Sequence, residues 1–349
     1  MNRKNNSWRG QRGVALLAVL WLSTALSLLA LTTAYLVRTE AETVANRIEA
    51  EREYYLARGG VEAAVYALTR PRGEQGAPGV EGATEFRPGQ RWLRFAFAQG
   101  AAVVEVVPEN AKLSVNQVTP EQLTALFAVL GEPAAQSREL AEAIADWRAS
   151  SASTVASGWD LFYASLQPPY AARHAPFEEL EELLAVKGMT RELFFGRLVE
   201  MPDGSWKKLP PLGDLLTTEA GFGAVNVNYA AREVLLALPG WEEAMADAVI
   251  QARAQKPFES FEELQAAVPG IAGVTGLAPL TLAPSTSYTL TATGELPGST
   301  VRRSVRARVR MGGFGAEPHR VVAWWDDWPW SAGDSGDTET PAGDIALAR

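Results

Sequence analysis

The sequence predicts an α+β protein: a long N-terminal helix, an antiparallel β-sheet, and a large all-α domain inserted into the connection between two parts of that sheet. Three observations carry this. Val14 to Val37 holds no charged residue, and a proline-free stretch continues from there to Thr69. Strand patterns occur near residues 92–107 and return only from 288 to 325. Between them lies a helical region that repeats itself. A chain of 349 residues, 47% hydrophobic and 21% charged, is long enough for two or three folded domains. It has no cysteine, which removes disulfides, thiolate metal sites and thiol nucleophiles. The formal charge is −9, and such a chain repels phosphate backbones.

The N-terminus comes first. Arg3, Lys4, Arg9 and Arg12 precede Gly13, with no acid among them, and the apolar run starts at once at Val14. A basic leader, a glycine and an immediate apolar span is the arrangement that a prepilin peptidase cuts. Cleavage between Gly13 and Val14 leaves the apolar helix on the mature protein, unlike a secretory signal, which is lost with its apolar stretch. Residues 1–13 thus read as a leader and 14–37 as a transmembrane helix, since about 20 apolar residues cross a bilayer. The positive leader places the N-terminus in the cytoplasm and the bulk of the chain outside the inner membrane. Position five of the mature chain is Ala18.

Residues 38–70 read as a stem continuing the same helix. Tyr54, Ala57, Val61, Ala64, Val65 and Leu68 recur at helical spacing on one face, Gly59-Gly60 is the weak point, and Arg70-Pro71 stops the helix. Residues 71–108 begin the β-domain: a loop, then Trp92–Phe97 and Ala101–Val107 as a hairpin. Residues 284–330 complete it with strands at Tyr288–Thr293, Val301–Met311 and Arg320–Trp325. Arg302, Arg306, Arg308 and Arg310 alternate with apolar residues and read as the solvated face of an antiparallel strand. Trp324 or Trp325 is expected to pack on the stem; residues 331–349, small and acidic, read as a disordered tail.

Residues 109–283 form the inserted domain. Asn116, Glu121, Leu123, Ala125 and Leu126 match Asn228, Glu233, Leu235, Ala237 and Leu238 at an offset of 112. Pro176-Phe177 through Leu183 matches Pro257-Phe258 through Leu264 at an offset of 81. The two halves therefore read as helix-hairpin-helix-like repeats, the first enlarged within about 146–175. Thr119-Pro120-Glu121 is a strong helix start: a capping hydroxyl, proline at the first helical position and an acid near the positive end.

These pieces in order resemble the general secretion pathway protein K family, the large minor pseudopilins of type II secretion systems. The likeness rests on Arg12 to Leu17, Tyr55 to Ala63, Lys112 to Asn116, Asp146-Trp147, Glu182 to Met189 and Val225 to Asn228. It implies a pseudopilin fold and a place at the tip of the periplasmic pseudopilus with minor pseudopilins I and J. It also implies contact with the major pseudopilin, the prepilin peptidase, which methylates the new N-terminus, and the inner-membrane secretion platform. Most pilin-like subunits have glutamate at position five, which meets the N-terminal amine of the subunit ahead. An unpaired carboxylate in lipid is costly, so a subunit with nothing ahead is better served by Ala18. Some family members bind calcium in the inserted domain, after the Asp-Trp pair. Here Asp160 is the only acid between Asp146 and Glu178, too few for an ion that takes six to eight oxygens, so no cofactor or metal is expected.

Three other readings compete. A type IV pilus minor pilin uses the same assembly physics. A membrane-tethered DNA-binding protein would use Leu238-Pro239-Gly240-Trp241, but Glu242 and Glu243 follow where a phosphate would sit. An anchored hydrolase finds no nucleophile elbow, zinc motif or phosphate loop, and neither His174 nor His319 has an evident nucleophile beside it.

Overall fold

The computed structural model describes residues 11–69, 86–150, 158–200, 204, 206–219, 223–274, 279–314 and 317–328. Most of the leader, most of the loop before residue 90 and the tail with Trp330 lie outside them.

Helix α1 runs unbroken from Gln11 to Thr69, 59 residues and about 88 Å at 1.5 Å per residue. Its apolar first half is exposed throughout, while Ala57, Val61, Ala64 and Val65 are buried. Strands β1 (Trp92–Phe97) and β2 (Gly100–Pro108) form the hairpin. The chain then enters the inserted domain through β3 (Leu113–Ser114).

The first repeat contains α2 (Pro120–Val129), α3 (Ala134–Arg148), α4 (Gly158–Ala164), a 3-10 turn at Leu180–Ala185 and α5 (Arg191–Phe195). A side hairpin, β4 (Arg197–Glu200) and β5 (Trp206–Leu209), leads to α6 (Leu212–Leu215) and β6 (Leu216–Thr217). The second repeat follows: β7 (Val225–Asn226), α7 (Arg232–Leu236), α8 (Glu243–Gln255), α9 (Phe261–Ala267), α10 (Ile271–Val274) and β8 (Leu280–Thr281). Each repeat closes on itself through a short parallel pair, β3 with β6 and β7 with β8.

Strands β9 (Ser287–Glu295), β10 (Ser304–Phe314) and β11 (Glu317–Trp325) finish the β-domain in one antiparallel sheet of order β1-β2-β9-β10-β11. Because β9 pairs with β2 across the inserted domain, the two sequence-distant β regions are one sheet. Two apolar cores result. One joins α1 to the sheet through Ala57, Val61, Phe95, Val106, Leu290 and Val309. The other fills the inserted domain around Leu123, Phe127, Ile144, Leu183, Leu235 and Val249.

Three expectations need correction. Gly59-Gly60 is no weak point: α1 passes through it, and a Cβ on Gly60 would stand 2.6 Å from that of Ala102. Glycine is there so that helix and sheet can approach. The strand expected from Val301 begins at Ser304, because Val301–Arg303 belong to the turn that follows β9. The enlargement of the first repeat also falls in two places. Arg148 and Arg253 make the same contacts at an offset of 105. The drop from 112 to 105 places seven additional residues before Arg148, and the drop from 105 to 81 places 24 between Arg148 and Phe177.

Candidate assembly site

The candidate site is the continuous surface of the chain along α1, from its apolar half to the head. Gly13 and Val14 both lie within α1, and Val14 and Ala18 are exposed on it. No proline interrupts the segment that follows, and the helix is continuous past the buried Glu53, so anchor and stem are one rod. The span from Val14 is the one helix among the described residues long and apolar enough to cross a membrane, with a mean hydropathy of 2.4 in its most apolar window. That fits a single-pass anchor.

The rod meets the head at the apolar face of the sheet. In β10, Val305, Ala307 and Val309 point toward α1, as the alternation requires. Gly294 of β9 touches the backbone of α1 itself: a Cβ there would lie 2.0 Å from the Glu53 carbonyl oxygen. At the edge strand, Trp324 packs at this core's margin and donates its indole N–H to Asp326 at 2.6 Å, while the Tyr54 hydroxyl of α1 donates to the same carboxylate at 2.8 Å. So Trp324 is the tryptophan that meets the stem, and Trp325 lies on the other face, with its ring 5.8 Å from the Arg308 guanidinium.

The opposite face of the sheet is where sequence reasoning failed. The arginines of β10 are not a solvated face; they meet the inserted domain. Arg306 is buried, paired with Asp214 of α6, donates to Thr291 at 3.0 Å and lies 3.9 Å from the Trp328 ring. Arg310 donates to Glu219 at 2.9 Å. Arg308 is 4.0 Å from Glu109, whose other oxygen accepts from Lys112 at 2.8 Å and from Thr289 at 2.5 Å. Glu109 and Lys112 are almost wholly buried, at 2% and 1% side-chain exposure. Burial alone would raise the Glu109 carboxyl, but the charges of Lys112 and Arg308 and hydrogen bonds from Lys112 and Thr217 outweigh it and hold the pKa down to about 2. Burial lowers Lys112, against the opposing pull of Glu109. Alternation revealed that the arginines share a face. Nothing in the sequence revealed that Asp214 and Glu219, 92 and 91 positions from their arginines, and the still more distant Glu109 cover it. Arg310 keeps part of its side chain in solvent while pairing with Glu219, and Arg302 lies exposed beside the turn, 3.7 Å from Glu53 of α1.

Within the inserted domain the repeat has a physical basis. Asn228 clamps the backbone of Phe258, donating to its carbonyl at 2.9 Å and accepting from its amide at 2.9 Å. Asn116 does the same to Phe177 at 3.0 and 2.7 Å. Arg253 donates to the carbonyls of Val227 and Ala230, and Arg148 to those of Val115 and Val118. Thr119 and Gln122 form a reciprocal capping box at the start of α2. Glu182 and Glu263, paired acids by sequence, accept backbone amides from Glu179 and Glu259 and so cap their own turns.

Several side chains that a phosphate-binding or hydrolytic reading would call on are engaged in the fold. Lys187 pairs with Glu139 at 2.8 Å and lies over the rings of Trp159 and Phe162. At the Pro239-Gly240 hairpin Trp241 is buried, while Glu242 and Glu243 face solvent. His319 lies on β11 opposite Met311, and His174 contacts Asp160. Asp146, Asp160 and His174 do converge, with donor atoms within 4.8 Å of one another. Two carboxylates and an imidazole are a poor donor set for calcium, which prefers six to eight oxygens.

Two family models match in chain order, both described as type II secretion system protein K, over residues 101–196 and 225–285. The first spans β2 to α5 and the second spans the second repeat. The chain is 23% identical over 271 residues to the type II secretion system protein K of Pseudomonas aeruginosa, covering 73% of this chain and 76% of that protein. A chain of the GspK–GspI–GspJ complex from enterotoxigenic Escherichia coli superposes with a TM-score of 0.47 at 18% identity, over 83% of this chain and 98% of that one. With two models of the same protein family matched in order, and a relative aligned across most of the length, the chain belongs to the type II secretion system protein K family and is a minor pseudopilin of that system.

Proposed function

We propose that this chain is a non-catalytic subunit that forms the tip of the periplasmic pseudopilus, starts its assembly and so supports the export of folded proteins. It is cut by the prepilin peptidase between Gly13 and Val14, methylated there, and held in the bacterial inner membrane by Val14–Val37 with its head in the periplasm. The observation that carries this is Ala18: a neutral side chain at position five, exposed on an unbroken rod, where stacking subunits keep an acid. A subunit that offers no carboxylate to a neighbour ahead is suited to stand first. The energy for export comes from elsewhere in the machine, since no nucleotide-binding motif is present in the sequence.

The partners proposed are minor pseudopilins I and J, in keeping with the complex that the Escherichia coli chain was solved in, together with the major pseudopilin and the inner-membrane platform. No cofactor, metal or nucleic acid takes part. N-terminal sequencing of the mature protein from a host with prepilin peptidase is expected to start at Val14. Retention of the basic leader, or Ala18→Glu giving a subunit found along the shaft with secretion intact, overturns the reading.

A further inference from the structure

The convergence of Asp146, Asp160 and His174 lies at the 24-residue enlargement of the first repeat, and the geometry of the imidazole there is specific. Its Nε2 lies 2.9 Å from an Asp160 oxygen on α4. Its Nδ1 lies 3.2 Å from the carbonyl oxygen of Ala149, at the C-terminal end of α3. Both neighbours are acceptors. A neutral imidazole carries one N–H and can satisfy only one of them; the imidazolium carries two and satisfies both. The Asp146 carboxylate of α3 supplies a second negative charge within 4.8 Å. The remaining charges nearby are engaged elsewhere: Arg173 by Glu178 and Glu182, and Arg148 by the carbonyls of Val115 and Val118. The backbone of His174 adopts φ +50°, a conformation uncommon outside glycine, so the ring is presented to this corner at some cost.

We infer that His174 is held as an imidazolium that fastens α3, α4 and the loop before Phe177 together, supplying with a proton the positive charge that a divalent ion would otherwise provide. The same three elements already pack through the rings of Trp147, Tyr163 and Tyr170, and the imidazolium adds a charged tie beside that aromatic one. The consequence is a pH-sensitive fastening in the first repeat, which the second repeat lacks because it has no counterpart of these 24 residues. The hydrogen bond to Asp160, then its charge, raises the His174 pKa above the ordinary 6.5, against the effect of burial. A raised pKa means that the fastening is complete below about 6.5 and is lost as pH climbs through the raised value.

Only His174 and His319 are present, so the test is direct. The full chain is labelled with 15N-histidine in detergent micelles without divalent ions, and His319→Gln assigns the two rings. His174 is expected to show both ring nitrogens protonated at pH 7, with less than half neutral. Amide exchange in α4, corrected for the intrinsic rate, is expected to speed up about tenfold between pH 6 and pH 9, as one charge-assisted hydrogen bond is lost. In His174→Gln the same exchange is expected to be flat with pH. A neutral ring at pH 7, an unchanged pH dependence in His174→Gln, or displacement of the His174 resonances by stoichiometric calcium or zinc would each overturn the inference.

Discussion

The two faces of the five-stranded sheet are covered by opposite chemistry. Toward α1 the centre of the joint is apolar, with polar contacts at its margins from Glu49, Glu53 and Tyr54, and its fit is set by how closely two backbones approach at Gly60 and Gly294. Toward the inserted domain they are charged: Arg306, Arg308, Arg310 and Lys112 face Asp214, Glu109 and Glu219. Apolar burial is non-directional, so a face built on it is specified by volume and shape. A buried ionic seam adds little net stability but makes any unpaired member costly, so it specifies which surface docks. The stem joint is thus a matter of shape and the domain joint a matter of pairing.

The largest effect is expected where pairing is broken in the interior. Glu109→Ala leaves Lys112 and Arg308 without their shared counter-charge, at a cost of about 3–5 kcal/mol. Replacing Glu109 by Leu and both cations by Met should recover most of that loss, in guanidinium denaturation of the full chain in detergent followed by tryptophan fluorescence. Failure to recover it would mean that the seam stabilises through attraction, not only through avoided desolvation. The same carboxyl gives a pH signature. Its folded pKa of about 2 lies below the usual 4.5, so its contribution is present above about 4.5 and disappears as pH falls toward 2. The acid-induced fall of the unfolding midpoint in that window should shrink in the Glu109 variants.

On the other face the test is steric. Gly294→Val places carbon against the Glu53 carbonyl and forces helix and strand apart, at about 3 kcal/mol. Leu290→Met on the same face keeps volume and should cost less than about 1.5 kcal/mol by the same measurement. Equal losses from the two would show that this face is not governed by close approach.

This contrast also explains what the sequence made legible. Helix α1 was readable because its signal is local: an uncharged run, then a helical stripe in which Ala57, Val61, Ala64 and Val65 are buried and Tyr54 and Leu68 half-buried, though Glu53 and Ala67 are buried as well. The repeat was readable because Asn116 and Asn228, each with its phenylalanine, serve the same backbone clamp. The seam was not readable, since period-two alternation says that Arg306, Arg308 and Arg310 share a face and is silent on what covers it. Nor did any local pattern bring His174 to Asp160, 14 positions away through an irregular loop.

The smallest effects should separate the two repeats. Both asparagine clamps hold a phenylalanine backbone by two hydrogen bonds, yet Asn228 is buried and Asn116 only half-buried. Truncation to alanine strands an amide and a carbonyl in each case, and the cost depends on whether water reaches them. Asn228→Ala is therefore expected to cost about 2 kcal/mol and Asn116→Ala about 1 kcal/mol. Asn116 starts with one bond more, a donation to the Thr218 carbonyl at 3.0 Å, so counting hydrogen bonds predicts the reverse order. Exchange of the Phe177 and Phe258 amides, measured in each variant, decides between the two accounts. If Phe177 is the more exposed by its mutation, bond number governs the clamps; if Phe258 is, solvent access does.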